Sequence, residues 1–353
     1  MNVIKKYFTV FFGLILSIAM VGCSSTKDLK KKRTQNINQN MISIEQKQND
    51  LLAGTYKAVC YSGFRTGQHP DRGDGAKNPT EAQILEDLRI ISRDFGLIRL
   101  YDSGENSETI LKLIEEHKLD IKVMLGIWLS AELSSHLTCV WLTEPIPQEE
   151  LDLNKLENAK EIERGIALAN QYNDVVVAVN VGNEALVDWN DHLVRIESII
   201  EYVRKVKNAI QQPVTVAENY EWWAAHGKAL AAELDFIGIH IYPIWEQRDI
   251  VEGIQYSIDN VQKVRNALPN ARIVITEAGW ATTASEFGAR ASQEKQKQYY
   301  DWLMQWSKDM NITTFFFSAF DEDWKGDPND PLGAEKHWGL YFIDRTPKMA
   351  IKP

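Results

Sequence analysis

Eight short apolar runs alternate with longer amphipathic stretches along this chain, from about Gly54 to its last residue. The short runs are rich in β-branched and aromatic residues, which favour strands, and most precede a stretch with helical periodicity. Strands are predicted at residues 56–61, 97–101, 121–128, 175–181, 214–217, 236–242, 273–276 and 314–320. Helices are predicted near residues 80–95, 106–118, 155–172, 190–211, 222–233, 251–267 and 292–309. This number and order of elements predicts an α/β protein of the (β/α)8 TIM-barrel type.

An open, doubly wound sheet is the alternative fold for the same alternation. Its nucleotide-binding forms carry a glycine-rich phosphate loop that leads from the first strand into a helix. The segment after Tyr61 reads Ser-Gly-Phe-Arg-Thr-Gly and contains no helix start at that place, which favours the barrel. No Pro- or Ser-rich linker interrupts residues 54–353, so they are predicted to form a single domain.

The first residues have the pattern of a targeting signal. Lys5 and Lys6 precede an apolar run at residues 7–21, which is short for a membrane span and typical of a signal peptide. The run ends in Met-Val-Gly-Cys, which resembles the lipobox of bacterial lipoproteins, so residues 1–22 are predicted as the signal peptide and Cys23 as the lipid anchor. An ordinary cleaved signal that happens to end in Cys is the alternative.

Residues 23–53 are predicted to form a flexible tether, because residues 24–50 are rich in Lys, Asn, Gln and Ser and are nearly free of aromatic residues. The lipid would attach the protein to a membrane of the cell envelope. No Asp follows Cys23, so the outer membrane is expected if the host is Gram-negative.

Composition excludes several kinds of partner. The net charge is −10, from 39 Lys and Arg against 49 Asp and Glu, and no basic stripe occurs in the folded part, so no nucleic acid is expected to bind. Three Cys do not make a disulfide scaffold, and no Cys/His pairs have zinc-ligand spacing. Neither a metal nor a cofactor is expected. The 11 Trp favour ring platforms for sugars, although most aromatic rings are expected in the core.

Two carboxylates lie where predicted strands end. Glu184 follows Val-Gly-Asn after the fourth strand, and Glu277 follows Thr276 in the seventh. In a (β/α)8 barrel the carboxyl ends of the strands carry the chemistry, and two carboxylates at one rim suit a glycosidase. Either motif alone is explained about as well by helix capping, whereas both together favour catalysis. Trp280 and Trp324 lie beside acidic residues and would supply ring faces for sugars.

The chain also resembles a known family. VAVNVGNEAL at residues 177–186 and IVITEAGWAT at 273–282 are similar to motifs of glycoside hydrolase family 17, the β-1,3-glucanases of the retaining clan A. The resemblance extends over residues 56–345 and includes AVCYSGFR (58–65), LIRLYDSG (97–104), FIGIHIYP (236–243), FFFSAFDEDWK (315–325) and HWGLYFIDR (337–345).

This resemblance implies roles for individual residues. Glu184 matches the general acid/base and Glu277 the nucleophile. Asn183 matches the residue that holds the sugar 2-hydroxyl, and Tyr242 the tyrosine that hydrogen-bonds the nucleophile. The remaining matches are two wall residues of the sugar site, Tyr101 and Trp280, and two polar residues of the cleft rim, Glu322 and Lys325. The family's usual Pro after Gly-Trp is Ala281 here, which affects the loop rather than the acids.

Three functions remain possible on this basis. The first is a retaining hydrolase of laminarin-like β-1,3-glucan that acts as a monomer, and the second is a β-glucan transglycosylase on the same fold. The third, a surface lipoprotein that only binds glycan, is disfavoured by the presence of both acids. The sequence leaves open whether cleavage is endo or exo, which linkages are tolerated, what the loop at residues 128–154 does, and whether Cys60 pairs with Cys139. His240 is equally well explained as a cleft residue or as a core histidine.

Overall fold

A computed structural model describes residues 44–47, 52, 57–71 and 75–352 of the 353-residue chain. Eight parallel strands close into a barrel in chain order, with β8 paired to β1. The strands are β1 (Lys57–Cys60), β2 (Leu97–Arg99), β3 (Lys122–Ile127), β4 (Val176–Asn183), β5 (Val214–Asn219), β6 (Ile237–Ile241), β7 (Ile273–Ala278) and β8 (Thr314–Phe316). The helices are α1 (Glu81–Ile91), α2 (Glu105–Glu116), α3 (Gln148–Gln171), α4 (Ile196–Ala209), α5 (Tyr220–His226), α6 (Lys228–Ala231), α7 (Ile250–Ala267) and α8 (Gln293–Met310). The predicted (β/α)8 barrel is confirmed.

Local sequence explains where several helices begin. Thr80 precedes α1 and forms a capping box with Gln83, which satisfies backbone N–H groups that have no partner within the helix. Ser292 accepts a hydrogen bond from the backbone of Lys295 and so caps α8. The strands are buried almost throughout, as expected for a parallel sheet covered by helices.

Some element boundaries differ from the prediction. Helix α3 begins at Gln148, immediately after Pro147, instead of near residue 155, because Pro is well suited to the start of a helix. Helix α4 begins at Ile196 instead of near 190, since residues 184–195 form a loop after β4. The helix predicted near 222–233 is divided at Gly227 into α5 and α6. Strand β8 ends at Phe316, four residues earlier than predicted.

The barrel domain begins earlier than residue 54, which corrects the predicted tether boundary. Ile44 and Leu52 are buried in the core, although they lie in a stretch that the composition assigns to the tether. The Gln46 side chain accepts a hydrogen bond from Ile273 N (2.7 Å) and donates one to Ile273 O (2.8 Å). Ile273 is the first residue of β7, so residues 44–47 close the amino-terminal end of the barrel. Two apolar side chains and one amide are sufficient to fix a segment that is polar on average.

The predicted signal peptide and Cys23 lie outside the described residues. Within the described part, no helix is both long enough and apolar enough to cross a membrane. Cys60 and Cys139 are both buried free thiols, so the structure does not pair them.

Candidate active site

Glu277 lies at the carboxyl end of β7 and is held by three donors. Arg99 Nη1 donates to Glu277 Oε1 at 2.7 Å, and the Tyr101 hydroxyl donates to the same oxygen at 2.9 Å. The Tyr242 hydroxyl donates to Oε2 at 2.6 Å. Two of the donors lie at the end of β2 and one at the end of β6. Together with β7, which carries Glu277, three strands of the barrel therefore position this carboxylate. Only 8% of its side chain is exposed.

Burial raises the pKa of Glu277, but other groups reverse this effect. Positive charge at His240 and at Arg99 favours the carboxylate, and the hydroxyls of Tyr242 and Tyr101 stabilise it further by hydrogen bonding. The result is a pKa below the usual range of a glutamate. Glu277 is therefore ionised at neutral pH despite its burial.

Arg99 is a site residue that the sequence analysis did not single out. Its guanidinium is fully buried, and its Nη2 donates to Asn183 Oδ1 at 2.5 Å while Nη1 binds Glu277. It thus fixes the orientation of the Asn183 amide relative to the carboxylate. The signal was present, because an arginine inside an apolar strand has to meet a partner of opposite charge.

Glu184 projects from an irregular end of β4. The pairing of β4 with β5 shifts between Asn180 and Asn183, and Gly182 has a φ of +79°. Glu184 itself has a φ of +48°, a left-handed conformation that costs a non-glycine residue about 1–3 kcal/mol. Its backbone N–H is held by Ala217 O at 2.8 Å. This bend directs the carboxylate into the rim, where 22% of the side chain is exposed.

His240 contacts both carboxylates, and sequence reasoning left its place undecided. The ring is fully buried in β6, with Nδ1 3.0 Å from Glu184 Oε1 and 3.6 Å from Glu277 Oε2. These two oxygens are therefore no more than about 6.6 Å apart, a limit that includes the separation of about 5–5.5 Å in retaining glycosidases and excludes nearly all of the range of about 6.5–9.5 Å in inverting ones. His240 Nε2 lies 3.3 Å from Arg99 Nη1, so the ring also contacts the guanidinium that holds Glu277. Its Nδ1 is within hydrogen-bond distance of Glu184 Oε1 and can donate to that carboxylate.

Glu218, at the end of β5, is a second residue that the sequence analysis missed. Burial, and next the charge of Glu184, raise its pKa well above the usual value. Its Oε1 accepts a hydrogen bond from Leu186 N at 2.8 Å. The buried Glu218 carboxyl thus supports the backbone that follows Glu184.

The segment after β8 forms a second polar cluster. Lys325 Nζ lies 2.7 Å from Glu322 Oε2, and both the Ser62 hydroxyl and Trp324 Nε1 donate to Glu322 Oε1. Burial opposes the charge of Lys325, but Glu322 outweighs it and raises the lysine pKa. Ser62, Glu322 and Lys325 line a shallow recess together with Tyr101, whose hydroxyl donates to Glu277. Glu322 is buried and Trp324 and Lys325 are half-buried beside it, so their predicted contact with sugar stays a prediction.

Trp280 does not line the cleft, which corrects the expectation that it walls the sugar site. Its indole is fully buried, its Nε1 donates to Arg290 O at 2.9 Å, and its ring lies 5.4 Å from that of Tyr299 on α8. The side chain turns outward between the strands and the helices instead of toward the rim. Among the described residues the exposed tryptophans are Trp141, Trp189 and Trp245.

Trp280 and Trp324 are expected to give opposite phenotypes when each is replaced by alanine. Trp280→Ala should lower the free energy of unfolding by about 3–5 kcal/mol, because it leaves a large cavity in the core. Trp324→Ala should lower stability by no more than about 1 kcal/mol and reduce kcat/KM on an oligosaccharide about three- to tenfold, through loss of a ring contact. Thermal melts and kinetics of both variants test this. A Trp324→Ala protein that melts as early as Trp280→Ala would show that Trp324 is a core residue.

The geometry can support a specific chemistry. One carboxylate is ionised and surrounded by donors, and a second, more exposed carboxylate faces it across one imidazole. Environments that separate two carboxylates in this way are typical of a nucleophile paired with a proton donor.

Comparison with known proteins places the chain in a family of glycoside hydrolase domains. Residues 58–339 match the sequence pattern of the family described as the BtgE/BtgC glycoside hydrolase domain. A glucan 1,3-beta-glucosidase of Schizosaccharomyces pombe is 24% identical over 295 residues, which cover 79% of this chain and 83% of the relative. A putative glucan endo-1,3-beta-glucosidase btgC of Aspergillus niger is 25% identical over 301 residues, covering 78% of this chain and 40% of the relative.

Solved structures share the barrel. An endo-laminarinase from Formosa has a TM-score of 0.71 at 24% identity, covering 84% of this chain and 85% of its own. A glycoside hydrolase family 17 β-1,3-glucanosyltransferase from Rhizomucor miehei has a TM-score of 0.64 at 21% identity, covering 84% of this chain and 97% of its own. At these identities the likeness shows the fold.

Proposed function

Since this chain belongs to the BtgE/BtgC glycoside hydrolase domain family, we propose that it hydrolyses laminarin-like β-1,3-glucan with retention of configuration. The observation that carries the proposal is the Glu277 carboxylate, which Arg99, Tyr101 and Tyr242 keep ionised beside Glu184. The names of the relatives, a glucan 1,3-beta-glucosidase and glucan endo-1,3-beta-glucosidases, support this choice of substrate.

The proposed reaction is a double displacement. Glu277 attacks the anomeric carbon while Glu184 gives its proton to the leaving oxygen, which forms a covalent glycosyl-enzyme. Glu184, now ionised, then takes a proton from water, and the water displaces Glu277. The hydrogen from His240 Nδ1 is available to Glu184 in this second step, when the carboxylate is charged.

Transfer to a second sugar is the alternative outcome of the same intermediate. An acceptor hydroxyl then replaces water, and Glu184 removes its proton in the same way. Hydrolysis and transfer differ only in whether the acceptor competes successfully with water.

The decisive experiment incubates the purified chain from residue 24 onward with laminarin and separates the products by chromatography. Short oligosaccharides support the hydrolase, and products longer than an added oligosaccharide support the transferase. No change in laminarin or in any other β-glucan would refute both and leave a protein that only binds glycan.

The pH profile tests the donors around Glu277. Activity requires an ionised Glu277 and is lost as the pH falls through its pKa. Tyr242→Phe removes a hydrogen bond that lowers this pKa, so the acid limb of kcat/KM should move to higher pH. Because a hydrogen bond to a charged group contributes about 1.5–3 kcal/mol, the expected displacement is about one to two pH units.

Tyr256→Phe is the matched control for this variant. The Tyr256 hydroxyl pairs with that of Tyr220 between α7 and α5, away from both carboxylates, so its removal should leave the profile in place. An acid limb that stays fixed in Tyr242→Phe, or moves to lower pH, would contradict the proposed state of Glu277.

We also propose that Cys23 anchors the enzyme to a membrane of the cell envelope. The support is the lipobox-like ending of the apolar run and the polar stretch that follows it. Residues 44–47 join the barrel at the start of β7, about 13 Å along that strand from Glu277, so these residues lie at the end of the barrel opposite the cleft. Wild-type protein should partition with membranes, whereas Cys23→Ser should not be lipidated. Equal partition of the two forms into detergent would refute the anchor.

A further inference from the structure

Two exposed tryptophans lie in the loops that follow β3 and β4 at the carboxyl end of the barrel, and they have no role in the proposed chemistry. Trp141 is 75% exposed in the loop between β3 and α3, and Trp189 is 45% exposed in the loop between β4 and α4. Large exposed rings are uncommon on a soluble domain and mark surfaces that bind a partner or ligand. Together these two residues are called the tryptophan platform.

Hydrogen bonds join the two loops on both sides of Trp189. Thr138 Oγ1 donates to Asp188 O at 2.5 Å, and Ser135 Oγ donates to Asn190 O at 2.5 Å. The turn that supplies both donors is closed by Cys139 N, which donates to Ser135 O at 2.8 Å. Trp141 follows this turn directly, so the tryptophan platform is supported by one hydrogen-bonded unit.

The same unit continues into the catalytic rim. Asn190 Nδ2 lies 3.1 Å from Glu184 O and 3.4 Å from Glu184 Oε2. His192 Nε2 lies 2.8 Å from Asn183 O, and its ring centre is 4.7 Å from that of Trp128 at the end of β3. The loop that carries Trp189 is therefore in contact with the proposed proton donor.

The position of the proton donor indicates which part of the substrate lies next to these loops. The group that protonates the leaving oxygen must face the departing part of the substrate, so sugars beyond the cleaved bond lie on the Glu184 side. Flat apolar rings suit the faces of pyranose sugars. The exposed acidic side chains of Glu144, Asp188 and Asp191 can accept hydrogen bonds from sugar hydroxyls, and they disfavour an anionic membrane as the partner.

We propose that the tryptophan platform binds glucosyl residues on the leaving-group side of the cleft, beyond the first sugar after the cleaved bond. The same surface holds the acceptor sugar when the intermediate is transferred instead of hydrolysed. This inference rests on the proposed function, since it names a further part of the same substrate site.

The test compares two substrates that differ on the leaving-group side. A long β-1,3-gluco-oligosaccharide reaches the tryptophan platform, whereas an aryl glycoside has no sugar beyond the cleaved bond. Trp141→Ala and Trp189→Ala should each lower kcat/KM on the oligosaccharide about three- to tenfold and leave kcat/KM on the aryl glycoside unchanged. Trp141→Phe, which keeps a ring, should recover most of the loss.

Leu137→Ala is the matched control, because Leu137 is 88% exposed in the same turn but has no ring face. It should behave as wild type on both substrates. A Leu137→Ala loss equal to that of Trp141→Ala would refute stacking and indicate a protein-docking surface instead. An equal loss on both substrates in the tryptophan variants would also refute the proposal, because it would place the effect at the catalytic centre.

Failure of this inference and failure of the proposed function give different results. If wild-type protein cleaves no β-1,3-glucan, the proposed function itself is refuted. If wild type and both tryptophan variants cleave the long oligosaccharide equally well, only the tryptophan platform is refuted.

Discussion

Glu277→Ala should be nearly inactive on every substrate, with a loss of more than about 10⁴-fold in kcat. Without the nucleophile no glycosyl-enzyme can form, however good the leaving group is. Added azide should then attack the anomeric carbon directly and yield the α-configured glycosyl azide. The product configuration, measured by NMR, reports the role of Glu277 independently of the rate.

Loss of the fold has to be separated from loss of the nucleophile. Removal of Glu277 leaves Arg99 buried without its carboxylate partner, which is destabilising. Glu277→Gln retains the shape and provides an amide oxygen that can accept from Arg99, so it should melt close to wild type and remain inactive. Substantial turnover by a folded Glu277→Gln protein would contradict the assignment.

Glu184→Ala should lose about 10²–10⁴-fold on β-1,3-glucan, which is the usual contribution of a general acid. The loss should be much smaller on an activated aryl glycoside, whose leaving group needs little protonation. Azide should accelerate the second step, because an anion needs no general base, and should give the β-configured azide. Kinetics on the two substrates and the product configuration test this prediction.

The two variants together distinguish the possible errors. If Glu184→Ala gives the α-azide, the roles of the two carboxylates are exchanged. If neither variant changes turnover, the chemistry takes place elsewhere. His192→Ala is a useful companion, because it perturbs the Glu184 loop through the carbonyl of Asn183 without removing a carboxylate.

The strands were predictable because each is a local property of the chain. Runs such as residues 273–276 are apolar and β-branched over their whole length, as strands buried on both faces must be. Their ends were less predictable. Strand β4 continues to Asn183 through a bulge that depends on its pairing with β5, and no local pattern reports that pairing.

The proximity of the two acids was also predictable, since Glu184 and Glu277 lie within three residues of the ends of predicted strands and the barrel brings strand ends to one rim. The direction in which a given side chain points was not predictable from the sequence. The motif around Trp280 led us to expect a wall residue of the sugar site. Its ring instead packs against Tyr299, because the helix layer provides a buried site and a hydrogen-bond acceptor, Arg290 O.

The sequence by itself determined the barrel and the placement of Glu184 and Glu277 at one rim, because these follow from periodicity and residue type along the chain. Only the tertiary structure decided which groups act on those carboxylates. Arg99 on β2 and His240 on β6 meet Glu277 on β7 from distant parts of the chain. Their effect on ionisation depends on distances of a few ångströms between buried charges, and those distances are set by closure of the barrel.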